Sequence, residues 1–492
     1  MYKPTLEEVK HLAAEGRGNL VPLYRDVLAD LETPVSAYLK VARGQHSFLL
    51  ESVEGGERLA RYSFIGTEPY RILRTGPSAG PEVCVDPLRI IEEELSRNRL
   101  IPLPGLPPFH GGAVGYLAYE VARYFERLPA PANDPLGLPE AIFLFCDTLL
   151  IFDHLRHNIK VVSHVRLDGD VDAAYRQATW RIDELVDRLS RPLALPRGAA
   201  IATSCGRADS NVGREEFLIE VEAAKEHVRR GDIIQAVISQ RLSRPTTAQP
   251  LDIYRALRTI NPSPYMYFLE LGDVQIIGAS PEMLVRVEDG LVETHPIAGT
   301  RPRGRTAEED DELEADLRSD EKERAEHTML LDLGRNDVGR VSEPGSVRVT
   351  QVMDVERYSH VMHLVSHVTG RLRPELTAFD ALRACFPAGT VSGAPKIRAM
   401  EIIAELEPDH RGPYAGAVGH FSFSGNLDTA ITIRTIVMTH GVAHVQAGSG
   451  IVYDSLPEAE HQESLNKASA LLRALDQAEQ AGEGTPRGSL GY

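Results

Sequence analysis

Apolar positions fall into two regimes on either side of residue 200. In the first, short apolar runs lie between Gly/Pro turns and predict strands at Ser47 to Ser52, Tyr62 to Gly66, Gly111 to Tyr119, Ala141 to His154 and Lys160 to Val165. A Pro-rich connector at 101–108 interrupts them, and the spacing from Val171 to Leu189 predicts an amphipathic helix. Periodicity is lost over 191–204, which reads as a linker. This places one domain at 1–195 and a second at 210–480, with 481–492 as a disordered tail.

The second half is more regular. Phe217, Val221, Ala224 and Val228 mark one helix face, and Gly231 is placed to end that helix. Strands are expected at Ile233 to Leu242, Val274 to Ala279, Met283 to Val287, Ala417 to Phe423, Thr429 to Met438 and Ala443 to Gly448. Helices fit Ala378 to Phe386 and Pro395 to Leu406, the latter with Pro in its first turn. Strands come in runs without βαβ alternation, so the fold class is α+β with large antiparallel or mixed sheets.

Composition narrows the class. Apolar residues make up 42% and charged ones 25%, ordinary values for a globular protein. A net charge of −18 with no Lys/Arg-rich block argues against nucleic acid. No apolar run approaches membrane-spanning length and the N-terminus lacks a signal-like core, so a cytoplasmic location is expected. The cysteines Cys84, Cys146, Cys205 and Cys385 lie far apart without a CxxC, indicating neither a zinc ribbon nor a disulfide framework.

Acidic clustering suggests chemistry. From Glu308 to Glu326 there are eleven carboxylates against three basic residues. Such a run is ordinarily a solvated helix face. Glu323 and Glu326, three apart, share one helix side, and Glu460 and Glu463 repeat the spacing near the C-terminus. Two such helices together suit Mg²⁺, a hard cation that prefers oxygen ligands. Pro387 to Lys396 is a small-residue turn opening onto a helix, where free backbone N–H groups suit an anion. Gly448-Ser-Gly450, read as a strand end, lets a ligand approach the backbone, and Arg434, read as mid-strand, needs an acidic partner or a carboxylate ligand. These features imply a small, multiply charged, carboxylate-bearing substrate. They do not name it.

The ordered series Gly231-Asp-Ile-Ile-Gln-Ala-Val-Ile-Ser-Gln240, Ala279-Ser-Pro-Glu282, His295-Pro-Ile-Ala-Gly-Thr300, Asp332-Leu-Gly-Arg-Asn-Asp337, Gly389-Thr-Val-Ser-Gly-Ala-Pro-Lys396 and Ala447-Gly-Ser-Gly-Ile451 resembles the chorismate-utilising enzymes, above all their anthranilate-forming branch. Leu49-Leu-Glu-Ser52, Arg61-Tyr-Ser-Phe-Ile-Gly66 and Phe109-His-Gly-Gly-Ala-Val-Gly-Tyr116 extend the likeness through the first half. The resemblance implies two sheets packed as a sandwich with helices outside. It places Mg²⁺ between Glu326 and Glu463, with Glu323 and Glu460 in support. Gly299, Thr300, Tyr414, Arg434, Gly448, Gly450 and Lys467 would bind the substrate. Glu282 would be the general acid that protonates the departing hydroxyl, with Gln235, His363 and Thr390 lining the same site.

Two positions separate reactions within the family. Relatives that add water carry Lys where this chain has Gln235, and those that make aminodeoxychorismate carry Lys where it has Ala298. Anthranilate formation from chorismate and ammonia is what remains. A separate glutamine amidotransferase subunit would supply the ammonia, which makes the assembly a hetero-oligomer. The resemblance also implies feedback by L-tryptophan, with Glu51 pairing the ligand's ammonium, Ser52 beside it, and Pro264, Tyr265 and Met266 packing on the indole. The alternatives are an aminodeoxychorismate synthase of the folate pathway and a catalytically silent tryptophan-sensing regulator.

Overall fold

The computed structural model describes residues 1–52, 61–79, 84–193, 206–358 and 361–482. Most of the expected linker, Cys205, and the tail beyond Gly482 lie outside the described residues. The last helix, Pro457–Gly482, continues through the first two positions assigned to the tail.

Two sheets form the body. A twelve-stranded sheet runs from Leu20–Leu28 at one edge, through His46–Glu51 and then Tyr265–Leu271, to Val442–Ile451, Gln235–Pro245 and Gly393–Ala394. A ten-stranded sheet runs from Ile297–Pro302 through Met283–Glu288, Leu427–Ile431 and Ala417–Ser422 to Gly112–Leu117, Ala141–Cys146 and Arg71–Thr75. Both sheets draw strands from either side of residue 200, and the pairings that build them are antiparallel. Phe48, Tyr267, Leu269 and Ile276 of the first sheet meet Val114, Tyr116, Leu144 and Val418 of the second in one buried layer. The helices Val171–Ser190, Pro250–Ile260 and Pro457–Gly482 cover the outer face of the first sheet, and Pro87–Ser96 and Ala378–Cys385 that of the second. This is the expected sandwich with helices outside. No helix among the described residues is long and apolar enough to cross a membrane.

Most predicted elements stand within two residues of their expected bounds. Gly231, at φ 79°, closes the Arg214–Arg230 helix as its position suggested. The informative misses are at sheet crossings. The run expected as one strand from Ala141 to His154 breaks at Asp147, with Ala141–Cys146 in the second sheet and Thr148–Asp153 in the first. Thr429 to Met438 likewise splits into Leu427–Ile431 and Thr435–Thr439, one in each sheet. Each crossing is marked by polar residues alone, Asp147 in one run and Thr432 and Arg434 in the other, with no Gly or Pro to signal a turn, so the apolar pattern reads as continuous. Arg434 is therefore not mid-strand. It sits in the crossing at φ 51°. A third crossing, between Val274–Ser280 and Met283–Glu288, holds Glu282.

Candidate active site

Glu282 and Arg434 come together because their crossings are stitched side by side. Ala279 N–H donates to Arg434 O at 3.0 Å, and Ile431 N–H to Glu282 O at 3.1 Å. The Ser280 hydroxyl donates to Ile431 O at 2.7 Å. Glu282 is buried, and burial pushes its carboxyl up to about 8; the Thr390 hydroxyl beside it and the Lys467 ammonium pull the other way. It therefore stays largely protonated at neutral pH.

Cations occupy the opposite wall. Lys467 Nζ donates to Gly448 O at 3.0 Å and pairs with Glu463 Oε1 at 2.8 Å, one helical turn away. Arg434 Nη1 donates to Lys467 O at 2.8 Å. Burial pushes the Arg434 guanidinium below its ordinary value, and Tyr414 and Glu463 oppose this. Gly448 and Gly450 lie among the last four residues of the Val442–Ile451 strand, which runs three residues beyond its expected end at Gly448. The Gly448 backbone lies against the Tyr414 phenol, which burial raises to about 12. A Cβ on Gly450 would come within 2.4 Å of Gln235 Nε2.

The carboxylate pairs close the third side. Asp320 caps the Glu321–Gly339 helix through the backbone N–H groups of Lys322 and Glu323, and Arg301 holds its other oxygen at 2.8 Å. That helix presents Glu326 to Gln235, whose Nε2 donates to Glu326 Oε1 at 3.1 Å. Glu323, half buried, is raised first by burial and then by the charge of Glu326. Gly299, at φ 73°, passes close below it; a Cβ there would lie 3.1 Å from Glu323 Oε2. His363 Nδ1 is 3.0 Å from both Gly299 O and Thr300 Oγ1, and burial followed by the nearby Arg434 charge keeps the ring neutral. Glu460 is buried on the C-terminal helix, whereas Glu463 is half exposed. Among the described residues no three His, Cys, Asp or Glu side chains form a group that holds a metal by themselves.

Much of the acidic run goes elsewhere. Asp310 is fixed by Arg303, which lowers its carboxyl to about 2, and Asp316 by Arg301. Glu314 pairs with Arg318 and Arg357. Lys396 is consumed by Asp337 Oδ2 at 2.7 Å and Cys385 O at 3.1 Å, so its turn offers no free ammonium. The sequence reading missed Arg301 and the buried pair Glu407–Arg411, although the latter shows in the sequence as opposite charges four apart.

A second cavity, of about 430 Å³, opens between the sheets. Glu51, Ser52, Pro264, Tyr265 and Met266 all line it, with Phe64, Phe109, Arg286, His420 and Asp428. Tyr265 donates to Asp428 Oδ1 at 3.0 Å, and Arg286 Nε donates to Asp428 Oδ2 at 3.0 Å. Two of these lining residues also have partners within the chain. The Glu51 carboxylate is already held by the Tyr254 hydroxyl and by Arg258 Nε at 3.2 Å, because strand alternation turns it toward the Pro250–Ile260 helix. Met266, its cross-strand partner, packs into the core on that same face.

The crossings thus bring a buried carboxyl of raised pKa, the cations Lys467 and Arg434 and the carboxylate-bearing helices into one region. Residues 45–473 match the family of chorismate binding enzymes. The chain belongs to that family. It is 50% identical to the anthranilate synthase component 1 of Acetivibrio thermocellus over 97% of this chain and 99% of that one. It is equally identical, with the same coverage, to the component 1 of Pseudomonas aeruginosa. The solved anthranilate synthase component I of Streptococcus pneumoniae TIGR4 superposes with a TM-score of 0.73 at 40% identity, covering 90% of this chain and 98% of that one. The menaquinone-specific isochorismate synthase of Escherichia coli, at 19% identity and a TM-score of 0.69 over 96% of this chain and 98% of that one, shares the fold.

Proposed function

We propose that the chain is a chorismate-processing lyase that forms anthranilate and pyruvate from chorismate and ammonia. The observation that carries this is the buried Glu282 carboxyl, held protonated near neutral pH beside Thr390 and within the field of Lys467. A carboxyl in that state donates a proton to a departing hydroxyl. Lys467, Arg434 and Tyr414 orient the substrate's carboxylates against the glycine backbone at 448–450. Ammonia attacks C2 as the C4 hydroxyl leaves, and elimination of pyruvate then gives the aromatic ring. Gln235 and Ala298 leave no lysine to activate water or to act as nucleophile at those two positions.

Mg²⁺ fits the donor set. Glu323 and Glu326 repel each other at half burial, Arg301 at 3.5 Å from Glu323 Oε1 offsets part of this, and a metal cation would relieve the rest. Glu326 and Glu463 would hold it, with Glu323 and Glu460 in support and water and substrate completing the shell. When bound, it supplies an electrostatic clamp on the substrate carboxylate.

A separate glutaminase subunit delivers the ammonia, in a hetero-oligomer in the cytoplasm. A glutaminase of this kind needs an activated cysteine. Burial pushes the Cys146 and Cys385 thiols well up, away from the thiolate form. L-tryptophan occupies the cavity between the sheets and inhibits.

Incubation with chorismate, Mg²⁺ and ammonium, followed by anthranilate fluorescence, tests the reading. A product that keeps its pyruvyl group would indicate aminodeoxychorismate synthesis. No turnover of chorismate would indicate a silent sensor.

A further inference from the structure

Arg411 is among the most deeply buried large side chains of the described residues, and its guanidinium hydrogen-bonds to none of the residues assigned to the substrate. Its guanidinium instead ties together the segments that carry them. Nε and Nη2 donate to the two oxygens of Glu407 at 2.7 and 2.6 Å. Nη1 donates to Val391 O at 2.8 Å, and Nη2 also to Val237 O at 2.7 Å. Glu407 Oε1 further accepts the Ser239 backbone N–H at 2.8 Å and its hydroxyl at 2.9 Å. The Arg411 backbone N–H donates to Glu120 Oε1 at 2.8 Å, and the guanidinium lies 4.8 Å from the Tyr119 ring and 5.6 Å from that of Tyr414.

Each anchor is one step from the site. Val391 follows Thr390, which sits beside Glu282. Val237 is paired across the sheet with Gly450 and lies two residues from Gln235 on the same strand face. Tyr414 is three residues beyond Arg411 and backs onto Gly448. A buried ion pair adds little net stability over an apolar pair of the same shape, but it fixes geometry strictly, since every donor must keep its acceptor. Arginine's planar fork makes several bonds in fixed directions, which a lysine ammonium does not reproduce.

We infer that Arg411, clamped by Glu407, is a positioning residue that holds Thr390, Gly450 and Tyr414 at the mutual distances substrate binding requires. This rests on the activity proposed above. The test compares wild type, Arg411→Lys and Glu407→Gln for chorismate KM and kcat, with ammonium saturating and the folded fraction fixed by circular dichroism and sedimentation. Loss of positioning raises KM tenfold or more in both variants and lowers kcat/KM by thirtyfold or more per folded molecule. A merely structural role lowers the folded fraction and apparent kcat while leaving KM alone. Unchanged KM in either folded variant overturns the inference, as does failure of both variants to fold. Wild type that forms no anthranilate overturns the proposed activity instead.

Discussion

In the proposed reaction Glu282 has the most demanding role, because it must be both buried and protonated. Glu282→Gln keeps the shape and removes the transferable proton, so kcat should fall by about 10²–10⁴ with the fold intact. Circular dichroism beside the anthranilate assay checks this, and near-wild-type turnover would rule the role out. The pH dependence follows from the same burial. A group raised to about 8 loses its proton above that pH, so kcat, expressed per free ammonia, should decline about tenfold per unit beyond it. Without that normalisation the decline is masked, since free ammonia rises over the same range. Stability moves in the corresponding direction. Between the ordinary value of 4.5 and about 8 the folded state holds a proton that the unfolded state has lost, so Glu282 makes the protein progressively less stable as pH rises. Glu282→Gln should therefore gain stability relative to wild type across that window, as a denaturant series at pH 5 and pH 8 would show.

At the scale of elements, the site is set by how closely two strands and two helices approach. The Val442–Ile451 strand passes so near Gln235 that Gly450 has room for hydrogen only. Gly450→Ala would push the amide off Glu326, and kcat/KM should fall at least tenfold while the melting temperature stays within a few degrees. An unchanged kcat/KM would show that the Gln235–Glu326 bond is dispensable. The helices Glu321–Gly339 and Pro457–Gly482 carry the two carboxylate pairs. Chelation with EDTA should stop turnover and added Mg²⁺ restore it, and Glu326→Gln or Glu463→Gln should abolish the rescue, because a neutral amide balances no cation charge. Full activity in excess chelator would sink the metal assignment.

At the scale of the molecule, the candidate active site and the cavity between the sheets share strands. The cavity reaches Asp428 and Arg286, directly paired across Leu427–Ile431 and Met283–Glu288, and the far ends of those strands reach Ile431 and Glu282. A ligand that binds the folded chain stabilises it by about 2.7 kcal/mol at a hundred times its dissociation constant. L-tryptophan should accordingly raise the melting temperature and inhibit. Ser52→Phe, which fills the cavity, should abolish both effects while leaving turnover near wild type. A wild type indifferent to saturating tryptophan would mean that the cavity takes another ligand.

The sequence alone was enough for the strand-rich α+β class, for most element bounds and, through its ordered motifs, for the family. Local periodicity and cap chemistry act over a few residues, which is why Gly231 and the Val171–Ser190 helix were legible. Tertiary structure decided the rest. Whether the apolar run from Ala141 ran straight or crossed between sheets depended on what covers each face, and Asp147 at the crossing is a single polar residue without a Gly or Pro to mark a turn. That is why Arg434 was misplaced and why its contact with the Glu282 turn appears only in three dimensions. The Glu51 carboxylate has Tyr254 and Arg258 as partners from a helix two hundred residues away, which only the fold reveals. Likewise nothing local distinguishes the acidic residues paired with Arg303 and Arg357 from Glu323, which Arg301 approaches at 3.5 Å, and Glu326, which Gln235 holds. Those partners are distant along the chain or arrive on another element, and only the fold selects among them.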